Sequence, residues 1–421
     1  MTVKESMNDD TTVEAIEGVE GIEGATAPSM GTAESAFAAG FTEDPGYLDF
    51  AKVGPLSAAV LAEASAAQEA LGRFRHGALD SLATASDRVR SGLSAVSGFR
   101  PDQIVPQPTT SHGLVHVMFG LSGTLLLSPA EFPSLPVAAQ RAADALGAMT
   151  PRWLDSDATG VSGHVTPDAV EAALDDDVTA VAVSLVDPRT GYVADLEGIR
   201  RVIGDRLLVV DAIQGFGVVD ARYDVADVIS GGGQKWLRSG WGTGFLAMGD
   251  RALEQLSPVL SGFTGTAERE PWDVVPEPAG SIAAFTLSNP DLLALARLAA
   301  SLEEIDATGV PVIASAIAER AAQVIDIADE LALPVVSPRA EHERAGIVVL
   351  EPSAGELGAI GAALHNHGVT VTTRQGRLRV SVHAGTTSET LGLFRDALIS
   401  AATVGSSAAP SSRGRLTGTN C

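Results

Sequence analysis

The sequence predicts an α/β fold in which a mostly parallel sheet forms a large domain and a smaller α+β domain follows. Apolar runs of strand length alternate with helix-compatible stretches between residues 124 and 248. Continuous apolar strands alternating with helices are typical of a parallel sheet whose two faces are both covered. After Pro290 two long helical stretches precede the remaining strands, and this change of order indicates the second domain.

The individual elements follow from hydrophobic periodicity, taken in chain order. Apolar residues at spacings of three and four predict a long helix over 58–99. In the large domain, strands are predicted at 124–128, 180–186, 207–210, 228–230 and 244–248, with helices at 136–146, 167–174 and 196–203. In the small domain, helices are predicted at 292–307, 312–333, 355–367 and 388–401, with strands at 346–350 and 378–382.

The two ends of the chain differ in composition from the middle. Residues 1–45 hold ten acidic residues against one basic residue, Lys4, and the last residues are rich in Ser, Gly and Thr. Acidic residues interspersed with Gly, Thr and Ser, and low complexity, are both typical of disordered segments. We therefore predict a disordered acidic leader, a large domain whose first residues pack on the small domain, the small domain itself and a disordered tail, at 1–45, 46–290, 291–401 and 402–421.

Composition excludes several classes of function. The formal net charge is −25 with no basic patch, which argues against nucleic acid and anionic membranes as partners. No apolar run reaches the roughly 20 residues of a membrane span. The single cysteine is Cys421, which excludes a disulfide framework or a cysteine-based metal site. Together with the lack of an apolar signal segment, this predicts a cytoplasmic protein.

Two segments carry the candidate chemistry. Asp211 follows the apolar run 207–210, and Gln214 comes three residues later in D-A-I-Q, while Lys235 stands in the glycine-rich G-G-G-Q-K-W-L. A carboxylate at a strand end can keep a pyridine nitrogen protonated, and an amide can bond the phenolic oxygen of the ring. A lysine on a loop can form an imine with an aldehyde. Together these residues predict a site for pyridoxal 5'-phosphate (PLP), which serves enzymes as an electron sink.

The combination of D-A-I-Q with Q-K-W-L and G-T-G-F-L resembles the class V aminotransferase superfamily of fold-type I PLP-dependent enzymes. That group includes cysteine desulfurases, kynureninases and isopenicillin N epimerases. The resemblance covers residues 47–401. It implies a fold-type I transferase fold with a seven-stranded sheet, a small amino-acid substrate, and a homodimer with its sites between the subunits.

The resemblance assigns roles around the coenzyme ring. Lys235 would form the aldimine with PLP and then move the Cα proton of the substrate. Asp211 would pair with the pyridinium nitrogen, and Gln214 would bond the ring hydroxyl. Phe132, in E-F-P-S, falls where relatives place a ring over the cofactor, and the same pattern is equally compatible with a core phenylalanine.

Further cofactor contacts are implied at the phosphate. Thr109 and Thr110, in Q-P-T-T-S-H, match the phosphate-binding T-T of the family, where hydroxyl and backbone N–H groups open a helix. Gln234 replaces the histidine that relatives carry before the lysine, so it offers hydrogen-bond donors but cannot carry a proton. Gly232 replaces a phosphate-binding serine. The phosphate contacts of this chain therefore differ from the family pattern.

Three residues are implied to contact the substrate. Arg379, in L-R-V-S-V-H, matches the arginine that binds the α-carboxylate, since a planar guanidinium suits bidentate recognition. His383 in the same motif is expected to line the pocket. Asn289, in the kynureninase-like S-N-P, is expected to reach across a dimer, with Thr286 and Ser281 as alternatives.

The sequence leaves the reaction open. A desulfurase needs a mobile cysteine, and Cys421 lies in the predicted disordered tail, so transamination and C–S or C–C lysis without a cysteine rank first. A kynureninase-like hydrolase and an amino-acid epimerase are the alternatives. A catalytically inactive PLP-fold protein with a regulatory or binding role is a further alternative.

Overall fold

A computed structural model describes residues 30–155, 163–268 and 272–407, and its central feature is a seven-stranded sheet. The strands of this sheet are β1 (Ile104–Gln107), β2 (Gly123–Leu127), β3 (Met149–Trp153), β4 (Val178–Ser184), β5 (Leu207–Asp211), β6 (Val228–Gly232) and β7 (Gly244–Met248). Their order is β1-β7-β6-β5-β4-β2-β3, and β7 alone runs antiparallel to its neighbours. The mostly parallel, seven-stranded α/β sheet confirms the predicted fold class.

Two strands of this sheet were absent from the sequence prediction. β1 contains Pro106 and β3 contains Pro151, and proline is depleted in strands because it has no backbone N–H to donate. Both strands lie at the edges of the sheet, where one missing donor disturbs the hydrogen bonding least. The edge position therefore explains why the apolar pattern did not predict β1 and β3, although it predicted the central strands.

Helices cover both faces of the sheet. One face packs against α5 (Thr110–Gly120), α6 (Ser134–Leu146) and α9 (Asp250–Gln255). The other face packs against α4 (Ala85–Ser97), α7 (Pro167–Ala173), α8 (Leu196–Ile203) and α10 (Leu292–Thr308). Alternate residues of each central strand enter the two cores, which is why these strands are apolar throughout. Within the described ranges, no helix has both the length and the apolar character needed to cross a lipid bilayer.

A three-stranded antiparallel sheet forms the smaller lobe. Its strands are β8 (Ile347–Leu350), β9 (Thr372–Arg374) and β10 (Arg377–Ser381), in the order β8-β10-β9. The helices packed around it are α11 (Val310–Glu330), α12 (Ala354–Asn366) and α13 (Ser388–Ser407). Tyr47 and Asp49 bridge to Thr370 and Ser381, so the start of the large domain lies against this lobe.

The predicted helix over 58–99 consists of three helices. They are α2 (Ala58–Arg73), α3 (Ala78–Ala83) and α4. The chain leaves α2 at Phe74, which adopts a left-handed conformation with φ 42°, and Gly77 follows with φ 80°. Backbone in this region cannot continue a right-handed helix. The apolar spacing predicted the helical content correctly, but the break was missed.

The acidic leader was predicted to extend too far. Its residues 1–29 lie outside the described residues, but α1 spans Met30–Ala38. Phe37 is buried and its ring lies 5.5 Å from that of Phe41. Glu34, counted among the leader's acidic residues, pairs with Arg320 at 3.1 Å. Two aromatic side chains and such ion pairs provide the burial that a disordered segment lacks.

The predicted tail also began too early. α13 continues to Ser407, which is beyond the predicted boundary at residue 402. Residues 408–421, which include Cys421, lie outside the described residues. The predicted disorder of this segment therefore stays a prediction.

Candidate active site

A cavity of about 610 Å³ lies between the carboxyl edge of the large sheet and the β9–β10 hairpin of the small lobe. Four of the residues singled out from sequence line it together: Phe132, Gln214, Lys235 and Arg379. The first three follow β2, β5 and β6. Since β2, β5 and β6 run in the same direction, their carboxyl ends meet at one edge, where ligands of such sheets bind.

Lys235 is the partly buried amine of this cavity. Its Nζ lies 5.3 Å from the centre of the Phe132 ring. Burial lowers the pKa of Lys235 to about 8, the carboxylate of Asp211 opposes this change, and the charge of Arg379 adds to it. An amine with this pKa has a substantial neutral fraction near pH 8, which is the form that attacks an aldehyde.

Asp211 is the last residue of the central strand β5 and is buried. Its Oδ1 accepts a hydrogen bond of 3.1 Å from the backbone N–H of Ile213. Burial raises the pKa of Asp211 to about 6, while that hydrogen bond and the charge of Lys235 lower it. A buried carboxyl group with so little compensation fits a site that receives a cationic ring nitrogen, which would restore the charged form.

Gln214 is held in a defined orientation. The indole Nε1 of Trp236 donates to its Oε1 at 2.8 Å, and its Nε2 donates to the carbonyl of Ala51 at 3.1 Å. The amide nitrogen has two hydrogens, so one donor remains for a ligand in the cavity. This arrangement fits the predicted bond to a ring oxygen.

The start of α5 fits a phosphate group. Thr109 caps the helix, and its hydroxyl accepts from the backbone N–H of His112. The hydroxyl of Thr110 is buried and has no hydrogen-bond partner within the described part of the chain. A Cβ at Gly232 would lie 2.9 Å from that hydroxyl and 2.7 Å from Oε1 of Gln234. The unsatisfied hydroxyl and the helix N-terminus together suit an anion, and the side chain of Gln234 lies beside them.

Arg379 enters the cavity from β10 and is loosely held. Its Nη1 lies 3.4 Å from the carbonyl of Pro188, and its Nη2 lies 3.5 Å from Oγ1 of Thr372. Nη2 is also 3.6 Å from Oδ1 of the buried Asp49. Its Nε is buried and has no partner among the described residues. All three contacts are longer than a strong charge-assisted bond, so the guanidinium retains the capacity to bind a carboxylate.

His383 was expected to line the pocket, and the structure corrects this. The residue is fully buried, its Nε2 lies 2.9 Å from the carbonyl of Trp236, and its Nδ1 accepts from the backbone N–H of Ala384. The rings of Phe41 and Phe50 lie 4.9 and 5.1 Å away. Burial lowers its pKa to about 3, so His383 is a neutral core residue. Its place in the R-V-S-V-H motif indicated a strand but not which way the side chain faces.

Asn289 does not reach the cavity of its own chain. It is exposed between Ser288 and Pro290, and Ser281 and Thr286 also lie away from the cavity lining. Its predicted contact across a dimer stays a prediction.

The cavity also includes residues that sequence reasoning missed. Glu131 lies beside Phe132, and its Oε1 accepts a 3.1 Å hydrogen bond from the backbone N–H of Ser184. Burial raises the pKa of Glu131 to about 7, with smaller contributions in the same direction from Asp187 and Asp211, while hydrogen bonds from Ser184 oppose the change. Glu131 directly precedes Phe132 in the E-F-P motif, so its acidic side chain could have been proposed as a site residue from the sequence. Four cationic residues also line the cavity, at Lys52, Arg189, Arg374 and Arg377.

Comparisons with known proteins show which family and which relatives this chain is similar to. Residues 69–391 match the profile of the family described as Aminotransferase class-V. The chain is 28% identical over 276 residues to a kynureninase of Deinococcus radiodurans, which covers 61% of this chain and 64% of that protein. It is 24% identical over 363 residues to a kynureninase of Pseudomonas fluorescens, covering 79% and 82%. The match thus spans less than two thirds of the Deinococcus relative.

Solved structures share the fold. An apo cysteine desulfurase from Thermococcus onnurineus NA1 superimposes with a TM-score of 0.74 at 21% identity, covering 86% of this chain and 95% of that one. The cystine C–S lyase C-DES, in complex with its product cysteine persulfide, gives a TM-score of 0.75 at 20% identity, covering 84% and 97%. Another C-DES structure carries glycine covalently linked to its PLP cofactor.

Proposed function

Because the chain belongs to the class V aminotransferase family of PLP-dependent enzymes, we propose that it acts on the Cα–H bond of an amino acid held between Lys235 and Arg379. The observation that carries this proposal is that both residues line one cavity together with Phe132 and Gln214. PLP, when bound, supplies the electron sink for the pair of electrons left at Cα.

The residues of this chain have distinct tasks in the proposal. Lys235 would hold the coenzyme, and its Nζ would take the Cα proton. Asp211 would keep the ring nitrogen protonated, and Gln214 would donate its remaining amide hydrogen to the ring oxygen. Thr109, Thr110 and Gln234 would bind the phosphate, and Phe132 would contact the ring. Arg379 fixes the α-carboxylate, because its guanidinium has no strong partner of its own.

The bond broken afterwards distinguishes the possible enzymes. We propose an aminotransferase or a C–S or C–C lyase that uses no catalytic cysteine, since the sequence has one cysteine, Cys421, near its end. A kynureninase-like hydrolase is the second candidate, and the curated relatives at 24–28% identity favour it. An epimerase and an inactive binding protein are the remaining alternatives.

A homodimer and a cytoplasmic location are part of the proposal. Phe263 and Leu287 are exposed apolar residues on neighbouring segments, since the backbone N–H of Gly262 donates to the carbonyl of Thr286. Trp241 is also exposed. Exposed apolar side chains close together are typical of protein interfaces, and Asn289 lies in the same exposed segment as Leu287. Sedimentation of the holoenzyme tests this, and a monomer at micromolar concentration would contradict it.

Product analysis tests the proposed reaction. The protein is loaded with PLP, and amino acids are screened by the absorbance change of the coenzyme. Transfer of the amino group to a keto acid indicates an aminotransferase, and pyruvate with ammonia indicates elimination. Alanine with an aromatic acid indicates hydrolysis. A protein that stays colourless after addition of PLP would contradict the proposal as a whole.

A further inference from the structure

We propose that the substrate amino acid carries a second anionic group on its side chain, and that Arg374 and Lys52 bind this group at the mouth of the cavity. The inference rests on the proposed function, since it names the substrate class of the same site. It follows from the way the β9–β10 hairpin presents its arginines and from which cations are already paired.

The hairpin places three arginines on one side. Arg374 of β9 stands directly opposite Arg377 of β10, and Arg379 follows two residues later on the same strand. Directly opposite residues share a face, as do residues two apart, and Arg374, Arg377 and Arg379 all line the cavity. Like charges directly opposite each other destabilise a sheet. A ligand that brings negative charge to this face would relieve the repulsion.

The cations of the cavity differ in how well they are compensated. Arg377 donates to Glu351 at 2.9 Å, and Arg189 pairs with Asp187 at 3.0 Å. Arg374, by contrast, is exposed at the hairpin tip and makes no ion pair with any residue that the structure describes.

Lys52 is the second cation available to a ligand. Its Nζ is 3.9 Å from Oδ2 of Asp49, and Asp49 already accepts from Thr372 and lies near Arg379. Lys52 is therefore only weakly neutralised. With Lys235 and Arg379 assigned to the coenzyme and the α-carboxylate, Arg374 and the weakly paired Lys52 are the cations best placed to bind a side-chain anion.

The charge of the residues that line the cavity is opposite in sign to the net charge of the whole chain. The formal net charge is −25, yet the described lining residues include six cationic side chains and one acidic side chain, Glu131. Glu131 faces the site from beside Phe132, at the sheet edge, whereas Arg374 lies at the hairpin tip. A cleft lined by one sign of charge concentrates ligands of the opposite sign. The cavity volume of about 610 Å³ is within the range of small-molecule sites, so an amino acid with two carboxylates fits the available space.

Pairs of acidic and neutral amino acids of nearly equal shape test the inference. The PLP-loaded protein is titrated with L-aspartate against L-asparagine and L-glutamate against L-glutamine, and binding is followed by the absorbance of the coenzyme. In at least one pair we expect the acidic member to bind roughly tenfold or more tightly, because charge-assisted hydrogen bonds replace neutral ones. Equal or weaker binding of the acidic member in both pairs would overturn the inference.

Variants locate the effect. Arg374→Gln should remove most of the acidic preference while the affinity for the neutral member stays within about twofold. Arg339→Gln is the matched control, because Arg339 pairs with Asp329 away from the cavity and its loss changes the net charge equally. An acidic preference that survives in Arg374→Gln, or falls equally in Arg339→Gln, would overturn the assignment.

A protein that responds to neutral amino acids without acidic preference contradicts this inference alone, whereas no response to any amino acid contradicts the proposed function too.

Discussion

Nη2 of Arg379 lies 3.6 Å from Oδ1 of Asp49, so the guanidinium proposed to bind the substrate carboxylate is already oriented by a buried acid. Thr372 donates to both oxygens of Asp49, at 2.8 and 3.0 Å, which limits how strongly that carboxylate neutralises the arginine. Asp49 thus orients the guanidinium of Arg379 but leaves it able to bind a second carboxylate. The two residues are 330 positions apart in the chain, and only the packing of the N-terminal segment on the small lobe brings them together.

Replacing Arg379 should weaken substrate binding more than it slows chemistry. In Arg379→Ala we expect kcat/KM to fall by an amount equivalent to about 2 to 4 kcal/mol of transition-state stabilisation. The reason is that the substrate carboxylate then enters a partly desolvated site without its partner. Arg379→Lys should recover part of the loss, since an ammonium keeps the charge but not the planar fork. Steady-state kinetics measures both. Arg395→Ala, which breaks an exposed pair with Glu330, is the control. Unchanged kinetics in Arg379→Ala would place the carboxylate elsewhere.

Lys235→Ala should abolish covalent attachment of PLP while the protein stays folded. The reason is that Lys235 is the amine that faces Phe132 across the cavity. Borohydride reduction followed by mass spectrometry of the intact protein measures the attachment. Lys52→Met is the matched control, because Lys52 lines the same cavity and should leave the attachment intact. Coenzyme that remains covalently bound in Lys235→Ala would show that another amine captures it.

The rate of coenzyme capture should rise with pH around a midpoint of about 8. Capture needs the neutral amine, and burial lowers the pKa of Lys235 to about 8, so the reactive fraction is about half at that pH and levels off only above it. Asp211→Asn removes a charge that raises this pKa, and the midpoint should therefore move to lower pH. Mixing coenzyme-free protein with PLP and recording absorbance across pH 6–10 measures the profile. A midpoint near the ordinary lysine value would contradict the prediction.

Glu131→Gln should stabilise the coenzyme-free protein at pH 8 but not at pH 4.5. Burial raises the pKa of Glu131 from 4.5 to about 7, so the folded state binds more protons than the unfolded state between these values. Stability is therefore present below pH 4.5 and is lost as the pH rises through about 7. We expect a gain of about 1 to 3 kcal/mol in the variant at pH 8.

Urea unfolding at the two pH values measures this difference. Asp211, whose pKa is also raised by burial, remains in the variant, so part of the pH dependence should persist. Glu254→Gln, an exposed position, should change neither value. Equal unfolding free energies of wild type and Glu131→Gln at pH 8 would refute the prediction.

Local sequence patterns predicted most of the sheet. The central strands are apolar on both faces, so their runs stand out, whereas β1 and β3 carry prolines that edge positions tolerate. The same patterns placed Asp211 at a strand end and Phe132, Gln214 and Lys235 after strand ends. Since parallel strands end at one edge, the convergence of Phe132, Gln214 and Lys235 on one cavity followed from the fold class.

The sequence by itself determined the positions of the central strands, the candidate lysine Lys235 and the family, because these depend on the order of residues within short segments. Only the tertiary structure decided that His383 faces an aromatic core, that Phe37 is buried, and that the arginines of the β9–β10 hairpin line the same cavity as Lys235. These features depend on contacts between segments far apart in the chain. Such contacts are set by packing of the two lobes, which hydrophobic periodicity within a segment does not encode.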